Sequence, residues 1–156
     1  MAPTEITWRP DVAEVASYIR ARTKIAGGGE AGTFTEGTKP TEEQAEGIID
    51  QAVRRVASEI GASPCTDDLQ ADAKTCAAMY AAILIETSYY PETTSNAGSS
   101  AVRLEALWKP QMNTLAEAVS LLCGEGTGGE GGADQHPPAH ATFDERRLIG
   151  PNGPVW

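Results

Sequence analysis

Apolar residues recur at helical spacing in four stretches of the chain, and the intervals between them are polar or glycine-rich. In TWRPDVAEVASYIRARTK, Val12, Val15, Ala16 and Ile19 fall on one face. Pro10 suits a first helical position, where its missing N–H leaves no bond unmade, and Asp11 and Glu14 suit the positive end of the helix. Arg20, Arg22 and Lys24 suit its C-terminal end. KPTEEQAEGIIDQAVRRVASEIG carries the clearest start signal: Thr41 and Gln44 are spaced as a capping box. Ala45, Ile48, Ile49, Ala52, Val53, Val56 and Ile60 follow the 3.6-residue period, and Gly61 ends it.

The third helix opens at Thr66, Asp67 and Asp68 and closes before Pro91, about 24 residues or roughly 36 Å at the helical rise. Its middle, CAAMYAAILI, is apolar on every side, the mark of a central, buried helix. Ala77, Ala78, Ala81 and Ala82 let neighbouring helices approach closely, and Tyr80, Tyr89 and Tyr90 fill wider gaps. In SAVRLEALWKPQMNTLAEAVSLLCG, the expected inward stripe is Leu104, Leu107, Trp108, Leu115, Val119 and Leu122. Pro110 removes a hydrogen bond to residue 106, so a kink or two abutting helices are expected there.

The expected class is all-α: a small bundle of three long helices with the N-terminal helix packed beside it or reaching elsewhere. Residues 1–123 form the helical domain, interrupted by a long glycine-rich loop over 25–40 whose GTFTEGT has the pattern of a short extended ribbon. Residues 124–156 read as a glycine-rich tether followed by an extended C-terminal arm, with Pro151 and Pro154 opposing a terminal helix. Fully extended, this segment spans about 100 Å at roughly 3.3 Å per residue. Solvated tails lack large apolar residues, and this one has several. Candidate partner contacts are therefore Trp8 and Phe34 in the non-helical N-terminal parts, and Phe143, Leu148, Ile149 and Trp156 in the arm, with Trp156 as its anchor. The competing reading folds the tail back so that Trp156 caps its own core.

Composition narrows the function. A net charge of −10 without a Lys/Arg cluster opposes binding by phosphate neutralisation. Cys65, Cys76 and Cys123 form no CxxC and cannot all pair, which favours three thiols in a reducing cytosol, while a single Cys65–Cys123 bridge stays open. The N-terminus has no basic and apolar leader pattern, and no apolar run approaches the roughly 20 residues of a membrane span, so neither export nor a membrane is expected.

Catalytic and cofactor signals are weak. His136 and His140 in HPPAH have a zinc-compatible spacing only on a helix, which the two prolines between them forbid. GGGE and GTGGEGG lack the GK[ST] and the strand-to-helix setting of a phosphate loop. Glu42, Glu43, Glu46 and Asp50 read as a solvated helix face, and no GxSxG elbow occurs. No enzyme, cofactor or metal site is expected.

The order WRPDVAEVASYIRARTK, GTFTEGTKPTEEQAEGIIDQAVRRVASEIG and AAILIETSYYPE resembles head-to-tail adaptor proteins of long-tailed phages infecting actinobacteria, over roughly residues 5–123. The resemblance implies a structural protein of the virion neck, assembled in the host cytoplasm, that forms a ring of about twelve copies beneath the portal protein. Such a ring continues the DNA channel, passes DNA without specific binding, and docks a stopper or tail-terminator connector. Twelve copies at −10 each give about −120, and an acidic lumen repels phosphates. The alternative from another class is a small acidic helical regulatory module whose tail folds on one soluble partner.

Overall fold

The computed structural model describes residues 6–25, 27–29, 31–91 and 98–124. The described helices are α1 (Val12–Tyr18), a 3-10 turn (Arg20–Arg22), α2 (Glu42–Ile60), α3 (Asp67–Tyr89) and α4 (Ser100–Cys123), with no strand among the described residues, so these are all-α as expected. The arm and its residues Phe143, Leu148, Ile149 and Trp156, like His136 and His140, lie outside the described residues.

The N-terminal helix is shorter than its apolar spacing predicts. Asp11 is the N-cap, and it shares a capping box with Glu14: Glu14 N–H donates to Asp11 Oδ1 at 2.7 Å and Asp11 N–H to Glu14 Oε2 at 2.8 Å. Pro10 thus precedes the cap instead of opening the helix. At Ile19 the chain tightens, its N–H bonding Ala16 O at 3.1 Å, and passes into the 3-10 turn. That change of pitch turns Arg22 toward α3, where a buried carboxylate meets it.

In α2 the sequence signals are realised. Thr41 and Gln44 form the capping box, and Gly61 closes the helix at φ 68°, a left-handed conformation that suits glycine. Ala45, Ile49, Ala52, Val53, Val56 and Ile60 are buried. The acidic face is only partly solvated: Arg9 pairs with Glu46 and, at 2.9 Å, with Asp50, tying the N-terminal segment to α2.

The central helix is α3, which contacts α1, α2 and α4. Buried residues surround it, among them Leu69, Cys76, Ala77, Ala81 and Ile85. Thr66 caps it by accepting from Leu69 N–H at 3.3 Å. Against it, α4 runs as one helix through Pro110, so two abutting helices are excluded. The stripe that α4 buries is Ala101, Leu104, Trp108, Met112, Leu115 and Val119. Leu107 and Leu122, placed inward by the sequence pattern, are 61% and 67% exposed. At about 100° per residue, Leu107 stands roughly 100° from Trp108, and Trp108, not Leu107, meets α3. The Trp108 ring lies 4.8 Å from that of Tyr80, and its Nε1–H donates to Cys76 O at 3.1 Å.

The 25–40 loop is anchored. Phe34 is buried at 1% exposure, and GTFTEGT makes a turn rather than a ribbon: Thr38 Oγ1 accepts from Thr35 N–H at 2.8 Å and donates to Pro40 O at 2.7 Å. Trp8 is buried at 6%. Both residues were expected to reach a partner; burial makes them core residues of this domain instead. The apolar surface of each outweighs any exposed role once the loop and the N-terminal segment have somewhere to pack.

The cysteines require a correction as well. Cys65 and Cys123 form a disulfide, leaving only Cys76 free, so the reading of three reduced thiols is replaced by the bridge. Joining residues 58 apart, the bond lowers the entropy of the unfolded chain by an amount worth about 4 kcal/mol.

Removing the Phe34 side chain tests its placement. Phe34→Ala is expected to cost about 3–4 kcal/mol in urea unfolding, as for a large core truncation. A loss within about 0.5 kcal/mol, the usual surface value, would return Phe34 to the loop's exterior.

Candidate interaction surface

Helix α4 has a second row of residues beside its buried stripe. Leu107, Thr114, Ala118 and Leu121 recur at intervals of seven, four and three, so they fall within a narrow band of one helical face. Leu107 is 61% and Leu121 84% exposed, and Leu122, next to Leu121, is also exposed. Scattered single apolar residues on a surface are ordinary; here Leu107 and the Leu121–Leu122 pair stand about 21 Å apart along one helix, with Thr114 and the half-buried Ala118 between them.

This face borders a groove of about 620 Å³. Tyr18 from α1, Asp72 and Met79 from α3, and Leu107, Pro110 and Thr114 from α4 line it. The groove lies between α3 and α4, with Tyr18 at the end of α1 on its rim. Its surface is more apolar than polar, which suits a side chain or helix edge better than a charged small molecule.

The titratable groups of the groove are poorly suited to catalysis. Cys76 lies in its wall, buried at 2% exposure. Burial, with a smaller push from Asp72, raises its thiol to about 11, so it is protonated and unreactive at neutral pH. The Tyr18 phenol is also raised, first by burial and then by Cys76 and Glu14. Among the described residues, no three His, Cys, Asp or Glu side chains gather as metal donors, and no helix is long and apolar enough to cross a membrane.

Two smaller depressions lie elsewhere. One is lined by Trp8, Ala57, Ile60 and Pro64, and the other by Arg9, Asp50 and Arg54. Trp8 therefore contributes a wall of a shallow depression while most of its ring is in the core. Of the six residues singled out from the sequence, the described part of the chain contains two, Trp8 and Phe34, and neither belongs to the α4 edge. The edge itself was missed because Leu107 was assigned inward. Ala101 and Met112, which share the side of Trp108, were the signal that the inward stripe lay one residue over.

Against family models, curated proteins and solved structures, the chain gives no match.

The Cys76 thiol makes stability depend on alkaline pH. Its folded value lies above the ordinary one, so the protonated thiol favours folding fully below about pH 9, and the contribution disappears as pH rises through about 11. Urea unfolding at pH 8 through 11 is expected to show a loss on the order of 2 kcal/mol that Cys76→Ala removes. An identical alkaline loss in both proteins would contradict the burial of this thiol.

Proposed function

We propose that this chain is a noncatalytic structural protein, a head-to-tail adaptor of a phage virion neck that forms a ring beneath the portal protein. In this reading the subunit is a wedge-shaped bundle of three long helices with the N-terminal helix on its side. About twelve wedges pack in a heterologous ring, the lumen continues the DNA channel, and the lower surface receives a stopper or tail-terminator connector. Residues 124–156 serve as a glycine-rich tether and arm, and assembly takes place in the host cytoplasm.

The observation that carries this reading is the exposed face of α4, with Leu107 lining an open and mostly apolar groove and Leu121 and Leu122 exposed near the helix end. A domain that acts alone gains nothing from leaving this face in water, whereas side-by-side packing of copies buries it. The charge of −10 supports the same reading, because an acidic channel repels phosphates and lets DNA slide. The resemblance of residues 5–123 to phage adaptors in sequence pattern supports reading the assembly as a neck ring.

Negative-stain electron microscopy of the protein mixed with its portal is expected to show an added ring layer. Leu107→Glu combined with Leu121→Glu should abolish that layer while leaving the helical circular dichroism spectrum unchanged, since both positions are exposed. A bare portal with the unaltered protein would overturn the adaptor reading. A stable complex with one soluble partner and no ring would favour the regulatory module.

A further inference from the structure

The inward stripe of α4 ends at Val119, four residues before the helix does. In the turn beyond it, Ser120 is exposed, Leu121 is 84% exposed and Leu122 is 67% exposed. Apolar burial therefore does little to keep this turn helical, and a terminal turn without packing frays readily. Cys123 is the exception. It is half-buried against the core and bonded to Cys65, in the link between α2 and α3, with Cα atoms 5.5 Å apart. The remaining cysteine, Cys76, is buried within α3.

The surroundings of the bond favour its opening by an external thiol. Cys65 is solvent-exposed, and its backbone N–H is directed at Cys123 Sγ at 3.0 Å. An attacking thiolate can reach the sulfur of Cys65, and the sulfur that must leave already faces a hydrogen-bond donor.

We propose that the Cys65–Cys123 bond is a redox-operated staple on the last turn of α4. Oxidised, it holds residues 120–123 helical and fixes where the chain leaves the domain at Gly124; reduced, it releases that turn and leaves the rest of the domain folded. The reductant is a dithiol. One of its thiolates attacks Cys65 Sγ, the S–S bond breaks, and Cys123 Sγ departs with the electron pair and takes up a proton. The second thiolate of the reductant attacks the resulting mixed disulfide, frees Cys65, and closes the reductant into a cyclic disulfide. Two electrons and two protons pass to the protein in all. The device does not depend on the adaptor reading. Where that reading holds, the reducing host cytoplasm and the released virion lie on opposite sides of the switch.

Hydrogen exchange with mass spectrometry on the full chain, with and without dithiothreitol, tests this, with iodoacetamide labelling in denaturant to count thiols. Of the three cysteines, one is expected to label before reduction and all three after it. Reduction should accelerate exchange in residues 120–124 by about tenfold or more, while the buried amides of α2 and α3 stay protected and slower than that turn even though the lost cross-link lowers global stability. Cys123→Ser should reproduce the fast exchange without reductant, and Cys76→Ala should not. Three labelled thiols before reduction would overturn the proposal. So would unchanged exchange in the last turn, or loss of protection throughout the domain, which would mean that the domain does not stay folded without the bond.

Discussion

A carboxylate in the middle of a protein has to be answered by a cation, and in this chain that requirement organises the N-terminal third. Glu86 lies in the last turn of α3 with only 2% of its surface exposed. Its two oxygens take the Arg22 guanidinium side-on, Nε at 2.9 Å and the terminal nitrogen at 2.8 Å. This bond to Glu86, though opposed by burial, holds Arg22 above its ordinary pKa. Arg22 is placed by the 3-10 turn that follows α1, so the abrupt end of α1 is the geometry that delivers the partner. Tyr90 covers the pair from the other side, its ring 3.9 Å from the guanidinium carbon and its hydroxyl donating to Lys39 O at the end of the loop. One buried charge thus gathers the end of α1, the end of the loop and the end of α3.

The rest of the domain is arranged around α3. Alanines at 73, 77, 78, 81 and 82 are buried and let α1, α2 and α4 approach its backbone closely. Where the alanines leave width, Tyr80 and Trp108 fill it, and the indole N–H uses Cys76 O as its acceptor. Helix α4 packs on α3 and α2, and its exposed leucines are the surface on which the proposed ring contact rests. The short N-terminal helix also supplies Tyr18, its last residue, to the wall of the groove beside Leu107.

The sequence made some of this visible and hid the rest for a physical reason. The Thr41–Gln44 box, the Gly61 stop, and the all-round burial of CAAMYAAILI are local signals, carried by residues within a few positions of one another. The Arg22–Glu86 pair joins residues 64 apart and the disulfide joins residues 58 apart, and no periodicity reports such a pairing. Cys65 and Cys123 could be matched only by knowing that the start of α3 and the end of α4 lie side by side. Trp8 and Phe34 looked free because glycine and proline surround them, yet an irregular backbone can still deliver an aromatic ring to a core. The α4 edge was obscured by leucines on two adjoining faces, which leave the orientation of the helix to its partner.

The claim on which this account depends most is that Arg22 and Glu86 act as one buried unit. A double-mutant cycle by urea denaturation, with Arg22→Met, Glu86→Gln and the pair together, measures it directly. The account predicts that Arg22→Met alone costs about 3 kcal/mol, because it strands a buried carboxylate, and that the coupling between the two positions is at least about 2 kcal/mol. Additive losses, with a coupling inside about 0.5 kcal/mol, would contradict it.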